Sequence, residues 1–395
     1  MQICKSSINV LQEEKKMNFL RKKFYSYYLH PSIKFPHRVE RREFAFVLFN
    51  EQSMHRHISF SSKDGLLNYL KTNIPAHVYY SSAYYRNPSA STMQEKKWMG
   101  ADLIFDLDAD HLPNAKEMSY EDSLREVKKE AIKLLSFLID DFGFSKEEIE
   151  IYFSGSRGYH LHVSNSKVLE LGSQERREIV DYITGRGLNI EEIAREKKIY
   201  KGKFVDKTIE ICPQAGGWKG RIAKTLIKFF REIRNMSREK AIEELMKIES
   251  VGNKMAEDIY DALNDERMRR IEEGKLDQAT AFKKIVKPLI RKLAISLHSE
   301  ADEPVTADIK RLIRLPGSLH GKTGLRVTEV KIDEINEFEP LRDAVVFSDE
   351  KVKIKMLKPF RIEMMEEEFD LKGVAKVPEY LAVFLVAKGV AEAFS

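Results

Sequence analysis

Leu103-Ile104-Phe105-Asp106-Leu107-Asp108 is an apolar run that opens directly into two aspartates one residue apart. Side chains alternate faces along a strand, so Asp106 and Asp108 project together from one side of a rigid element. Like charges at that separation repel, and one carboxyl tends to keep its proton unless a cation intervenes. A divalent cation shared by the pair removes the conflict, so the pattern points to hard-metal chemistry of the phosphoryl type. Two solvated aspartates at a strand end are the plainer alternative. An EF-hand is excluded. Asp106, Asp108, Asp110 and Glu117 take its spacing, but His111 stands where glycine is required and Pro113 interrupts the loop.

Outward from this strand, residues 40–50 and 75–86 also read as strands. Between Tyr120 and Asp141 the residues Leu124, Val127, Ala131, Leu134, Leu135 and Leu138 recur at three and four, an amphipathic helix closed by Gly143. Ile149 to Val163 reads as two strands joined by Ser154-Gly155-Ser156-Arg157-Gly158. Residues 219–300 are rich in Lys, Glu, Arg, Leu and Ile with proline only at 288, the texture of successive helices. Strand-like segments return at 325–332 and 344–348. The expectation is an α+β fold: a mixed-sheet core flanked by helices, with an all-helical insert. Residues 18–218 and 301–395 would form the core, 219–300 the insert, and 1–17 a disordered extension.

Composition narrows the class. A chain of 395 residues, 43% hydrophobic and 33% charged, can bury a full core and reads as soluble and globular. The apolar run Tyr380–Ala387 is too short to span a bilayer and reads as a buried terminal helix. No secretory signal is apparent. Two distant cysteines, Cys4 and Cys212, support neither a disulfide framework nor a cysteine-based zinc cluster, which suits the reducing cytoplasm. A net charge of +5 permits a nucleic-acid partner without demanding one.

Two further stretches carry anion-binding chemistry. Ser154-Gly155-Ser156-Arg157-Gly158-Tyr159-His160 packs glycines, hydroxyls, an arginine and a histidine into seven residues. Glycines let backbone N–H groups approach an anion, and an arginine fork suits phosphate oxygens. An ordinary hairpin turn is the plainer reading. His160 and His162 share a strand face, but no third soft ligand accompanies them. The second stretch runs from Asp302 through Arg311 and Arg314-Leu315-Pro316-Gly317-Ser318-Leu319-His320-Gly321-Lys322-Thr323-Gly324. It is not a P-loop, because Pro316 falls where the first glycine belongs. A solvated basic loop is its alternative. Ser250–Ile259 partly resembles a helix-hairpin-helix, with serine in place of its first glycine, against an ordinary helix start. Tyr79, Tyr80, Tyr84 and Tyr85 would either stack on bases or pack in the core.

In order along the chain, Arg42-Glu43-Phe44-Ala45-Phe46, the Phe105–Asp108 strand, Ser154–His160, and Val305-Thr306 through Arg311–Gly324 resemble the motifs of the catalytic small subunit of archaeal and eukaryotic DNA primase, most closely the archaeal form. The resemblance covers about residues 18–390. It implies template-directed, metal-dependent synthesis of short primers from nucleoside triphosphates on single-stranded DNA, beside a large subunit, away from any membrane. Asp106, Asp108 and Asp302 would hold Mg²⁺ or Mn²⁺ and carry the catalysis. Ser154, Ser156, Arg157, His160, Arg314, His320 and Lys322 would bind the nucleotide. Arg42 and Arg56 would lie near primer or template. Many relatives carry a Cys/His zinc knob after the aspartate strand; residues 110–116 contain no cysteine here, so no structural zinc is expected. The rival readings are a primase-like polymerase of repair or end joining, tested on a primer-free circular strand, and a non-catalytic nucleic-acid-binding subunit.

Overall fold

The computed structural model describes the chain except residues 1, 50, 52, 202–203, 277–279 and 395. It divides into two compact units, one of Met1–Leu135, Phe144–Val180 and Glu300–Ser395, the other of Ser136–Gly143 and Asp181–Ser299.

The first unit is built on two antiparallel four-stranded sheets. One has the order Leu312–Arg314, Pro75–Ser81, Phe44–Leu48, His55–Ile58. The other runs Thr328–Val330, Ile149–Phe153, Gly158–Val163, Leu103–Asp108. Their apolar residues meet in a cluster that includes Phe44, Phe46, Val78, Tyr80, Ile104, Ile313, Leu315 and Leu319. The Tyr80 hydroxyl reaches His162 Nδ1 at 3.2 Å, linking one sheet to the other.

The helix Gln2–Leu29 runs through most of the segment expected as a disordered extension. Leu20, Phe24 and Tyr28, spaced four apart on one face, are fully buried. The same helix fixes the loop after Arg314. Tyr27 donates its hydroxyl to the Gly317 carbonyl at 2.6 Å, and the Leu319 N–H donates to the Tyr28 hydroxyl at 3.3 Å. Gly317 has φ +84°, and a Cβ there would lie 2.0 Å from the Ser32 carbonyl, so only glycine fits.

The amphipathic helix appears as Tyr120–Ser136, with a π-helical turn over Phe137–Asp141. Glu379–Ala387 is helical and buried from Tyr380 to Ala387, as the apolar run predicts. It packs on Gln2–Leu29 and on a three-stranded sheet ordered Val374–Pro378, Lys351–Met356, Ala391–Ala393. Residues 344–348 correct the sequence reading, since they form no strand. Ala344 ends the short helix Pro340–Asp343, and Val346 and Phe347 pack onto the cluster between the sheets. The strand falls later, at Lys351–Met356.

The second unit is mostly helical, with Gly217–Asn235, Arg238–Met246, Asn253–Ala262, Asp265–Glu272 and Thr280–Leu297. It also carries an antiparallel sheet ordered Lys275–Leu276, Phe204–Glu210, Arg195–Lys201. Asn253–Ala262 begins as an ordinary helix, with Gly252 at its N-cap. Among the described residues no helix is long and apolar enough to cross a membrane.

Candidate active site

The aspartate strand is anchored before its carboxylates are placed. Asp102, just ahead of it, is buried and ion-paired with Arg42 at 2.5 Å, and the Tyr84 hydroxyl donates to its other oxygen at 2.8 Å. Arg176, also buried, donates to the carbonyls of Ala101 and Asp102 at 2.9 and 2.8 Å. Register then sets Asp106 opposite His160 and Asp108 opposite Gly158. Gly158 is required there, because a Cβ would stand 2.5 Å from the Leu107 carbonyl.

The third carboxylate arrives from nearly two hundred residues away. Leu103–Asp108 is the edge of its sheet, and the Asp302 N–H donates to the Asp106 carbonyl at 3.1 Å. Asp302 is also the N-cap of the short helix Glu303–Ala307, accepting from the Val305 N–H at 3.4 Å. Burial, reinforced by the Asp302 charge, pushes the Asp106 carboxyl up to about 6 despite the opposing pull of Arg311 and Arg314. Burial also raises Asp108, with Asp110 and Asp106 adding to it. His160 Nε2 lies 3.4 Å from Asp106 Oδ1, and His111 Nδ1 lies 3.8 Å from Asp302 Oδ2.

Among the described residues no three His, Cys, Asp or Glu side chains gather closely enough to hold an ion as they stand. The donor chemistry fits a hard divalent ion all the same: three carboxylates, two of them raised above the ordinary range by burial and by neighbouring carboxylates.

The two anion-binding stretches meet each other. Ser154–Gly158 joins the strands Ile149–Phe153 and Gly158–Val163, with Gly155 at φ +80°. Thr323 donates its hydroxyl to the Gly155 carbonyl at 2.5 Å, and a Cβ on Gly155 would lie 2.9 Å from His320 Cβ. Ser154 is buried in this turn and Ser156 half-buried. Arg157 pairs with Asp110 at 2.5 Å.

Arg314 donates to His77 Nδ1 at 2.9 Å and sits 5.0 Å from the Tyr79 ring centroid. His320 is buried, and its Nδ1 accepts the Lys322 N–H at 3.3 Å, which leaves the ring proton on Nε2. Burial first, then neighbouring cations, holds three imidazoles neutral. His77 and His160 are pushed down to about 3, and His320 falls well below its usual value. Lys322 is exposed beside them.

One residue corrects the sequence reading. Arg42 is 1% exposed, and its guanidinium is engaged by Asp102 and by the carbonyls of His37, Ser81 and Ser82. It holds the first sheet to the aspartate strand and has no face left for a template. Arg56 is half-exposed and bonded to Glu43, whose carboxylate also takes the buried Lys96. Its strand is three places from Arg314's in the same sheet, about 14 Å at ordinary strand spacing. Tyr80, Tyr84 and Tyr85 are buried, so they pack rather than stack. His77, His111, Tyr120 and Lys388 also stand around the site without having been singled out. Nothing in their local sequence connects them to segments hundreds of residues away.

Residues 105–332 match the family described as DNA primase small subunit. The chain is 44% identical over 383 residues to the DNA primase small subunit of Methanococcoides burtonii, spanning 95% of this chain and 97% of that protein. It is 44% identical to that of Methanosarcina acetivorans, spanning 96% and 97%. With that of Archaeoglobus fulgidus it shares 40% identity, over 94% and 97%.

Proposed function

The chain belongs to the DNA primase small-subunit family, and from that premise we propose how its site makes a primer. The protein is a nucleotidyltransferase that synthesises primers for DNA replication. The observation that carries the site reading is the Asp302 N–H bond to the Asp106 carbonyl, which brings a third carboxylate to the aspartate strand. Asp106, Asp108 and Asp302 hold the catalytic cations, Mg²⁺ or Mn²⁺. When bound, these ions supply activation of the attacking 3′-hydroxyl and offset charge on the pyrophosphate leaving group.

The chain's own groups do the rest. Arg157 grips triphosphate oxygens by exchanging Asp110 for phosphate, and Ser154 and Ser156 lend hydroxyls beside it. Neutral His320 donates from Nε2, and neutral His160 offers its ring as a second uncharged contact. Arg314 and Lys322 add positive charge, with His77 fixing the direction of the Arg314 guanidinium. Arg56 meets primer or template at the far edge of the sheet. The template is single-stranded DNA, the partner is a large subunit, and the enzyme works in the cytoplasm.

Steady-state kinetics test the phosphate assignments. Arg157→Ala and His320→Ala should each raise the nucleotide KM by about tenfold or more, with a smaller effect on kcat. Unchanged nucleotide dependence in both variants would remove the two turns from the binding site.

A further inference from the structure

We propose that Lys388, supplied by the end of the C-terminal helix, is a further phosphate-binding residue of the nucleotide site. The inference rests on reading Ser154–Gly158 as part of the triphosphate cradle. Lys388 is the half-buried C-cap of the helix Glu379–Ala387. Its ammonium lies 4.3 Å from the Tyr120 ring centroid and 5.8 Å from that of Phe384. Those two rings meet edge to face at 5.5 Å, and the Tyr120 hydroxyl donates to the Ser156 carbonyl at 2.7 Å. The aromatic pair thus holds the ammonium against the turn that carries Arg157.

What Lys388 lacks is an anion of its own. Among the described residues no carboxylate forms an ion pair with it, and its contacts are the two rings. Asp110, the acidic group whose charge reaches it, is already taken by Arg157 at 2.5 Å. The charges that reach the Lys388 ammonium are two cations, Arg157 and Lys358, against the single carboxylate of Asp110. Burial and then the Arg157 guanidinium push the ammonium down to about 8, as happens to a cation without a counter-charge. A lysine serving only the helix C-terminus gains its modest stabilisation fully exposed, with no second cation nearby. A phosphate bridging Arg157 and Lys388 would relieve the repulsion and free Asp110.

The chemistry sought is a phosphate oxygen, which two substrates could supply: the incoming nucleotide, or the nucleotide that begins the primer. Lys388→Met keeps the aliphatic packing on Tyr120 and removes the charge, while Lys388→Arg keeps the charge. Each variant of the full chain, with its large subunit, is assayed with ribonucleoside triphosphates in primed extension and in primer-free synthesis. Lys388→Met should raise the nucleotide KM about tenfold at little cost in kcat, and Lys388→Arg should restore most of it. A rise in both assays assigns the incoming nucleotide, and a rise in primer-free synthesis alone assigns the starting one. A KM equal to wild type in both assays overturns the proposal. Should the methionine variant fail to fold, Lys388→Gln carries the same test. Arg157→Ala in parallel separates the two readings: its KM rising while that of Lys388→Met stays flat defeats Lys388 alone, and both flat defeats the cradle itself.

Discussion

Primer synthesis should fall by about a thousand-fold or more when Asp106 or Asp108 is replaced by alanine. Both side chains leave one face of an anchored edge strand, and neither carries the hydrogen bonds that hold that strand. The Asp102–Arg42 pair and the Arg176 bonds to the Ala101 and Asp102 carbonyls do that work from buried positions ahead of it. Asp302 also docks on this strand through backbone atoms, so loss of the Asp106 side chain leaves the junction in place. The circular dichroism spectra of the variants should therefore match wild type, and none should unfold earlier than wild type in EDTA, while incorporation on a primer-free strand disappears. A variant that still makes primers at a rate near wild type would remove that aspartate from the chemistry.

The second large effect has the opposite sign on stability. Burial raises the Asp106 carboxyl from 3.8 to about 6. A carboxyl raised on folding adds full stability below its unfolded value, where it is protonated in both states. That contribution is lost as pH rises through the folded value near 6. Without metal, ionising Asp106 should cost the native state about 3 kcal/mol by pH 7.5, an upper figure because the carboxylate is partly solvated. Asp106→Asn cannot ionise, so in EDTA it should be about 2 kcal/mol more stable than wild type at pH 7.5 and close to it near pH 4. Urea unfolding at the two pH values reads the difference. A variant less stable than wild type at pH 7.5 would mean that Asp106 is favourably ionised in its buried position without a cation. An activity-destroying change that stabilises the metal-free fold is what a catalytic carboxylate placed in a buried position should display.

Much of this site was legible before any coordinates, because its parts are local. Alternation along 103–108 put the two aspartates together, and the glycines of 154–158 marked the turn between two strands that the structure contains. The burial of the 380–387 run followed from its length and composition. What sequence could not supply were side chains whose role depends on what packs across from them. The resemblance set Arg42 near primer or template, but its fate is decided by Asp102, sixty residues on, which closes a buried ion pair. His77 gains its task from Arg314, and Lys388 its surroundings from Tyr120, partners fixed by sheet order and helix docking rather than by spacing. The segment 344–348 misled for a related reason. Its apolar residues serve the core from an irregular stretch, with no neighbouring strand to pair with.

The most direct measurement is Mn²⁺ binding, followed by electron paramagnetic resonance with a nucleoside triphosphate present, on wild type and on Asp106→Asn, Asp108→Asn and Asp302→Asn separately. Joint coordination by carboxylates from both segments predicts that each single variant weakens Mn²⁺ binding by about tenfold or more. Wild-type affinity in Asp302→Asn would contradict it, leaving residue 302 a helix cap beside the aspartate strand and nothing more.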